Sequence, residues 1–425
     1  SVTVNNISGG NGSHAEGCAN GATGDFSHAE GLYNISIGMG SHAEGIQTFS
    51  MNLASHTEGF GNTGSGVCAH AEGALTQASG NYSHSEGFHG FATGFAAHVE
   101  GGGDPYTESF STASGDYSHA EGYVTTASGL RAHAEGSDTI ASGGAAHAEG
   151  VFTVASGDRS HTEGETTTAS GTASHAEGAG STASGIASHA EGLGTIASSH
   201  YAHTEGRETI ASGFGSHAEG FGSICSGNYA HAEGTFTSAI GLFSHAEGEG
   251  TIATGQDSHA EGYASGATGD QSHAEGFQTL ASGIASHAGG IQSTATFQGQ
   301  FSRACGGFTG PVVGATGATG LGTAQFSMYH LGCQIGSTGT TGTFVPLYGT
   351  GNITVPERSC WGIVAQIIGS NVVGLADSNL FSQGQIHSTV YRNDGAANVI
   401  ASTFSGSSST AHSIAPVIVS VGGAG

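Results

Sequence analysis

The feature that most constrains this chain is a pentapeptide, Ser-His-Ala-Glu-Gly. It first stands complete at Ser13-His14-Ala15-Glu16-Gly17 and returns, whole or with one or two substitutions, up to Ser286-His287-Ala288-Gly289-Gly290. Its histidines fall at 14, 28, 42, 56, 70, 84 and 98, then at 119, 133, 147, 161, 175, 189, 203, 217, 231, 245, 259, 273 and 287, twenty units in all. The step is 14 residues except between His98 and His119, where it is 21. A short fixed period held over some two thirds of a 425-residue chain is the mark of a solenoid. Counting globular domains from length does not apply to such a chain.

Each unit divides into two heptads, T-x-A-S-G-x-x and S-H-A-E-G-x-x, as in Thr209-Ile210-Ala211-Ser212-Gly213 followed by Ser216-His217-Ala218-Glu219-Gly220. Four or five alternating residues closed by Gly have the period of a short strand and not of a helix. Gly at 78 residues with Pro at only 5 excludes ordinary helical architecture, and collagen over the whole length as well. Two strands and two turns then make one narrow coil. The position before His is Ser or Ala and the position after it is Ala, Thr, Ser or Val, so one face is small while His and Glu share the other. The small face is expected inside, in a core so thin that stacking of neighbours supplies most of the stability. The Gly that closes every pentapeptide is expected at a tight turn needing positive φ or a close approach of the next coil. Twenty coils at strand spacing give a stack about 95 Å long.

The boundaries follow from the pattern. Residues 1–12 form an N-terminal cap, 13–296 the solenoid, 297–323 a collagen-like linker and 324–425 a separate C-terminal β domain. Near 101–108 the run from Gly101 to Glu108, with Pro105 inside it, is expected to leave the stack as a surface loop while the coils continue beneath. The linker holds Gly-X-Y triplets between Gly310 and Gly320, too few for a stable triple helix. After it, segments such as QFSMYHLGCQIG, CWGIVAQIIG, GQIHSTVYR and ANVIASTF predict about seven strands at sandwich spacing. The fold class is therefore all-β: a parallel β-roll or solenoid of 14-residue coils, then a β-sandwich-like domain.

Charge narrows the functions. All six basic residues are Arg, at 131, 159, 207, 303, 358 and 392, against a formal net charge of -27, so nucleic-acid binding through a basic patch is excluded. The 25 His make solubility strongly pH-dependent. Six Cys, at 18, 68, 225, 305, 333 and 360, show no metal or redox spacing, and Cys225 stands where other repeats have Ala, as a small buried side chain would. No apolar run approaches the 18 or so residues of a transmembrane helix, so no membrane insertion is expected. Ser1 lacks a charged-then-apolar leader behind it and reads as a mature or trimmed start.

The repeated pair carries the chemistry. Stacked carboxylates about 4.8 Å apart repel by roughly 0.9 kcal/mol in water and about 3.5 kcal/mol at an effective dielectric of 20. Nineteen in a row need solvent, neutralisation by the His two residues earlier or by a neighbouring chain, or bound cations. We expect an inter-chain ladder, with His14, Glu16, His42, Glu44, His133, Glu135, His175, Glu177, His217, Glu219, His259 and Glu261 bonding across it; an exposed solvated face is the plain alternative. His-x-Glu on a strand lacks a third and fourth metal ligand at any recognisable spacing, so no metal and no other cofactor is assigned. No unique nucleophile or pocket stands out and the chain reads as non-enzymatic. A Thr ladder (Thr125, Thr139, Thr153, Thr167 and onward) could order water on a flat face, but Ser interrupts it at 111, 181, 223 and 265, and filling of the coil is the expected role.

Runs such as Thr209–Gly220 resemble the Hep/Hag-type head repeats of trimeric autotransporter adhesins, and still more the Ser-His-Ala-Glu-Gly repeats of surface and spore-associated proteins of Gram-positive bacteria and of phage or virus fibres. The resemblance covers 13–296 and implies a left-handed β-roll, a homotrimer with three chains side by side, and an extracellular place on a cell, spore or virion surface. More weakly, the tail resembles a phage tail-fibre C-terminal module through Ala324-Gln325-Phe326-Ser327, Leu331, Leu347-Tyr348-Gly349, Ile353-Thr354-Val355-Pro356, Trp361 and Gly384-Gln385-Ile386. The β-barrel anchor and coiled-coil stalk of autotransporters are not recognisable. The expected function is a structural fibre or adhesin-like surface protein whose C-terminal domain presents or joins it, with Tyr329, Tyr348, Trp361 and Tyr391 as candidate contacts to a host surface or glycan, or as that domain's core. Alternatives are a subunit polymerising head to tail into filaments and a phage or virus fibre binding a host receptor.

Overall fold

The structure, a computed structural model, describes residues 5–307 apart from 105, 107 and 108, and the strand backbone at 323–328, 331–332, 345–346, 360–370, 381–393 and 396–408. Among these residues there is no helix. Strands of the repeat pair in parallel with their equivalents one coil on, so that like meets like. His133, Ala134, Glu135 and Gly136 face His147, Ala148, Glu149 and Gly150, while Ile140 and Ala141 face Val154 and Ala155. Two sheets result. One holds the strands that start at each His, such as His133–Ser137. The other holds 21 short strands such as Ile140–Ala141. The chain is thus an all-β parallel solenoid, as its period requires.

The core between the sheets is made of columns of small residues. Beyond the first unit, the Ala after His, the Ser or Ala before it and the Ala of T-x-A are at most 2% exposed, as in Ala148, Ser160 and Ala155. Cys225 fills an Ala position between Ala211 and Ala239, fully buried, and burial pushes its thiol up to about 11. Thr125, Thr139, Thr153 and Thr167 are buried too, so the Thr ladder faces inward and offers no flat surface to water. Thr167 and Thr209 each donate a hydroxyl to a carbonyl of the opposite strand, Glu163 O and Glu205 O, at 3.1 Å. The Ser before His ties its turn: Ser160 Oγ donates to Gly157 O at 2.7 Å and Ser174 Oγ to Gly171 O at 2.7 Å. Val99 is the largest fully buried side chain. It fits because Gly90 stands where other coils have Thr, Ser or Asn; a Cβ there would lie 2.9 Å from Val99 Cγ1 and 2.8 Å from Ser85 Oγ.

Glycine is required for two reasons at different places. Gly150, closing a pentapeptide, has φ +106, and a Cβ on it would lie 2.1 Å from Gly164 O of the next coil. Gly157, in the other heptad, has no left-handed φ, yet a Cβ there would lie 2.0 Å from Gly171 O. Both turns of each coil also place a residue of any type in the left-handed region, for example Phe152 (φ 56) and Arg159 (φ 57). Such a residue costs about 1–2 kcal/mol. The cost is offset by a bond to the previous coil, Phe152 N–H to Ser137 O (2.9 Å) and Arg159 N–H to Gly144 O (2.8 Å). Side chains at these tips point to solvent, which is why the repeat leaves them variable.

The 21-residue step leaves the stack undisturbed: His98 pairs with His119 and Glu100 with Glu121. The extra residues leave the long-strand sheet after Gly102 and return at Ser111, closed by an antiparallel bridge between Asp104 and Ser109. Phe110 seals the excursion edge-on against Phe91 (4.8 Å) and His89 (5.3 Å). At its far end the stack outruns the motif. Residues 297–300 form a further turn and Phe301–Gly307 pairs in parallel with His287–Ile291, so these residues belong to the coils and not to a linker; 308–322 lie outside the described residues.

Of the C-terminal unit, the described strands are a short antiparallel pair, Leu331–Gly332 with Val345–Pro346, and an antiparallel meander of Cys360–Ser370, Phe381–Asn393 and Ala396–Ser408. Residues 333–344, 347–359, 371–380 and 409–425 lie outside the described residues.

Candidate functional site

Alternation in the long strand turns the His and Glu of every pentapeptide outward while Ala turns in. In-register stacking then converts one dipeptide motif into two continuous columns. From His98 to His161 successive imidazoles lie 4.7–4.9 Å apart, centroid to centroid, and within 3° of parallel. In thirteen of the twenty rungs Nε2 lies within 4.0 Å of a carboxylate oxygen. His42 lies 3.6 Å from Glu44 and 3.8 Å from Glu30, His133 3.6 Å from Glu135, His175 3.5 Å from Glu177, His231 3.7 Å from Glu219, and His259 3.7 Å from Glu247. Hydrogen-bond geometry is reached at His14–Glu16 (3.4 Å) and His98–Glu86 (3.3 Å). The rungs are about one-third exposed, His175 and Glu177 at 34% each, whereas the first rung is open, His14 at 63%. The twelve ladder residues singled out from the sequence therefore share one face.

Stacking like groups shifts their titration. Burial, then the flanking imidazoles, hold His56, His119, His147, His175, His203 and His245 below the ordinary histidine range; nearby carboxylates pull the other way and lose. The carboxylates relieve their repulsion by sharing protons. Glu44 is pushed up to about 7 by burial and by hydrogen bonds to Glu30 and Glu58. Glu219 is pushed up to about 7 by hydrogen bonds to Glu205 and Glu233, then by burial. Glu30, bonded by Glu44 and Glu16, moves down.

Beside the Glu column runs the Gly column, and together they floor an open groove of about 850 Å³ from Glu205 to Gly290. Arg303 closes it. In the Glu register Glu275 is followed by Gly289 and then Arg303, so a cation stands at the end of the row of anions. The His column ends likewise on a ring, Phe301, 4.8 Å from His287.

The opposite face differs. The x of T-x-A points outward from the short-strand sheet and stacks as Ile140, Val154, Thr168, Thr182, Ile196, Ile210, Ile224, Ser238 and Ile252. Ile140, Ile196, Ile224 and Ile252 are 38–45% exposed. Reading the sequence for small and charged positions missed this column; its signal was the run of β-branched residues at x.

Of the candidate contacts in the C-terminal unit, Tyr329 and Tyr348 lie outside the described residues. Trp361 and Tyr391 are placed by backbone alone, on neighbouring antiparallel strands where Trp361 pairs with Val390 and Tyr391 with Cys360. Among the described residues no helix is long and apolar enough to cross a membrane. Compared with known proteins, the chain matches no protein-family description and no curated relative.

Proposed function

We propose that this protein is a structural, non-enzymatic rod that associates side by side as a homotrimer on an extracellular surface, with its C-terminal β unit presenting or joining it. The observation that carries the reading is the aliphatic column. Aliphatic residues recur on this face at Ile140 and Val154, at Ile196, Ile210 and Ile224 and at Ile252, with Thr168, Thr182 and Ser238 between them, and clustered apolar surface of this kind marks protein–protein contacts. The sequence pointed to the His/Glu ladder for this contact. Partial burial of that ladder within one chain, and the greater apolarity of the other face, favour the short-strand sheet. A cell, spore or virion surface, and attachment to a host surface or glycan, rest on the resemblance of the repeats.

Sedimentation equilibrium with electron micrographs tests the reading. Trimers seen as rods of one fixed length support it; a monomer at micromolar concentration sinks it. Indefinite fibres would count instead for a head-to-tail filament.

A further inference from the structure

The sequence offers His-x-Glu as two donors with no third, and the fold brings the third from the next coil. In His42, Glu44 and His56, and again in His98, Glu100 and His119, one ring nitrogen from each histidine and one carboxylate oxygen lie within 4.8 Å of one another. Trios of this kind recur along the ladder. Two imidazoles and a carboxylate suit zinc and its divalent transition-metal neighbours; calcium and magnesium prefer oxygen alone.

A second observation is independent of the spacing. The Nε2 atoms of His56, His70, His119, His161, His203 and His217 are shut off from solvent and make no hydrogen bond. A buried ring nitrogen without a partner is costly to the fold, and a cation reached by its lone pair would relieve it.

We propose that the His/Glu ladder binds divalent transition-metal ions of the zinc class, each held by two imidazoles of adjacent coils and the carboxylate between them. The same geometry limits the loading. Zinc–nitrogen bonds of about 2.0–2.1 Å place two nitrogens on one ion no more than about 4.1 Å apart. Neighbouring rings stand 4.9 Å apart at His42–His56 and 4.8 Å at His119–His133, so each ion draws two rings together and away from their other neighbours. A ring pinched toward one neighbour is unavailable to the next. Like charge on successive ions works in the same direction, and the array fills at about one ion per two rungs.

The test is calorimetric titration of the full chain at pH 7.5 with zinc chloride, nickel chloride, calcium chloride and magnesium chloride. Zinc and nickel are expected to bind with a plateau near one ion per two rungs, and calcium and magnesium at least about tenfold more weakly. A variant with His147→Asn, His175→Asn, His203→Asn and His231→Asn keeps every Glu and more than half of the ladder His, yet breaks each adjacent pair from His133 to His245. It is expected to lose about four ions, with its circular dichroism unchanged. Should the variant fold poorly, the parent chain at pH 5 serves instead, where protonated imidazole is expected to abolish zinc binding while leaving weak calcium binding in place. No zinc binding at tens of micromolar, equal binding of calcium, or an unchanged plateau in the folded variant, which would move the ions to His89, His200 or the C-terminal unit, overturns the proposal.

Discussion

The two sheets of the solenoid share a core, a period and a backbone ladder, and differ in what they turn outward. Inside, the sheets stand so close that both are reduced mostly to Ala, Ser and Thr, with Asn20, Asn34, Asn62, Val99 and Cys225 among the exceptions. Outside, nothing restricts size, and each sheet repeats a chemistry of its own: imidazole and carboxylate on the long strands, Ile and Val on the short ones. Stacking multiplies whatever is repeated. A lone exposed Ile is ordinary, whereas Ile196, Ile210 and Ile224 stacked in register make a small apolar patch. A lone surface Glu titrates normally, whereas Glu219 between Glu205 and Glu233 is pushed up to about 7.

The largest effect should come from the glycines, where the two halves of a coil are unequal. Gly150→Ala meets both a left-handed φ and a carbonyl 2.1 Å from its Cβ; a loss of about 3 kcal/mol or more is expected, with hydrogen exchange accelerated over the neighbouring coils. Gly157→Ser meets only the carbonyl, and Asn52 and Ser199 already occupy the equivalent position in their coils. Its cost is expected near 1 kcal/mol, since overpacking of this kind is partly absorbed by a shift. Equal urea midpoints for the two variants would show that φ plays no part in the difference.

Next is assembly, which separates the outward faces. Ile196→Asp with Ile224→Asp places two charges in the aliphatic column, and dissociation at least about tenfold easier is expected by sedimentation, with the fold retained. His189→Asn with His203→Asn, on the other face, is expected to leave the oligomer intact. The reverse outcome would return the contact to the His/Glu ladder.

A smaller change tests the core that both sheets share. Gly90→Thr restores the residue type of other coils but drives it against Val99, 2.9 Å from the added Cβ, for an expected loss of about 1–3 kcal/mol. Val99→Ala in the same chain should recover most of it. Failure of that rescue would mean that Gly90 answers to the insertion beside it and not to Val99.

How much of this was legible beforehand depended on whether a feature lies within one repeat or between two. The strand at S-H-A-E, the inward Ala and Thr and the turn at Gly follow from alternation inside 14 residues, and the structure has them so. The carbonyl that crowds a side chain at Gly157, the second imidazole beside each His-x-Glu and the apolar patch of Ile196, Ile210 and Ile224 exist only once coils stack. Nothing local announces them. Register matters in the same way for the ends: Phe301 and Arg303 look unrelated to His and Glu, and only pairing with His287 and Gly289 shows that they terminate the two columns.

The smallest expected effect is that of pH on a single chain, because the two columns oppose each other. A histidine held below its ordinary range, as His119 and His175 are, binds protons more readily unfolded. Its contribution is present above pH 6.5 and is lost as pH falls from there through the folded value. Glu44 and Glu219, pushed up to about 7, act in the opposite sense: their contribution is present below about pH 4.5 and is lost as pH rises through 7. Depressed histidines outnumber raised glutamates, so acidification from pH 6.5 to 4.5 should lower the urea midpoint modestly. Replacing His175 and His203 with Asn should flatten that slope. A midpoint that rises on acidification would mean that repulsion in the Glu column, and not desolvation of the imidazoles, governs the charged face.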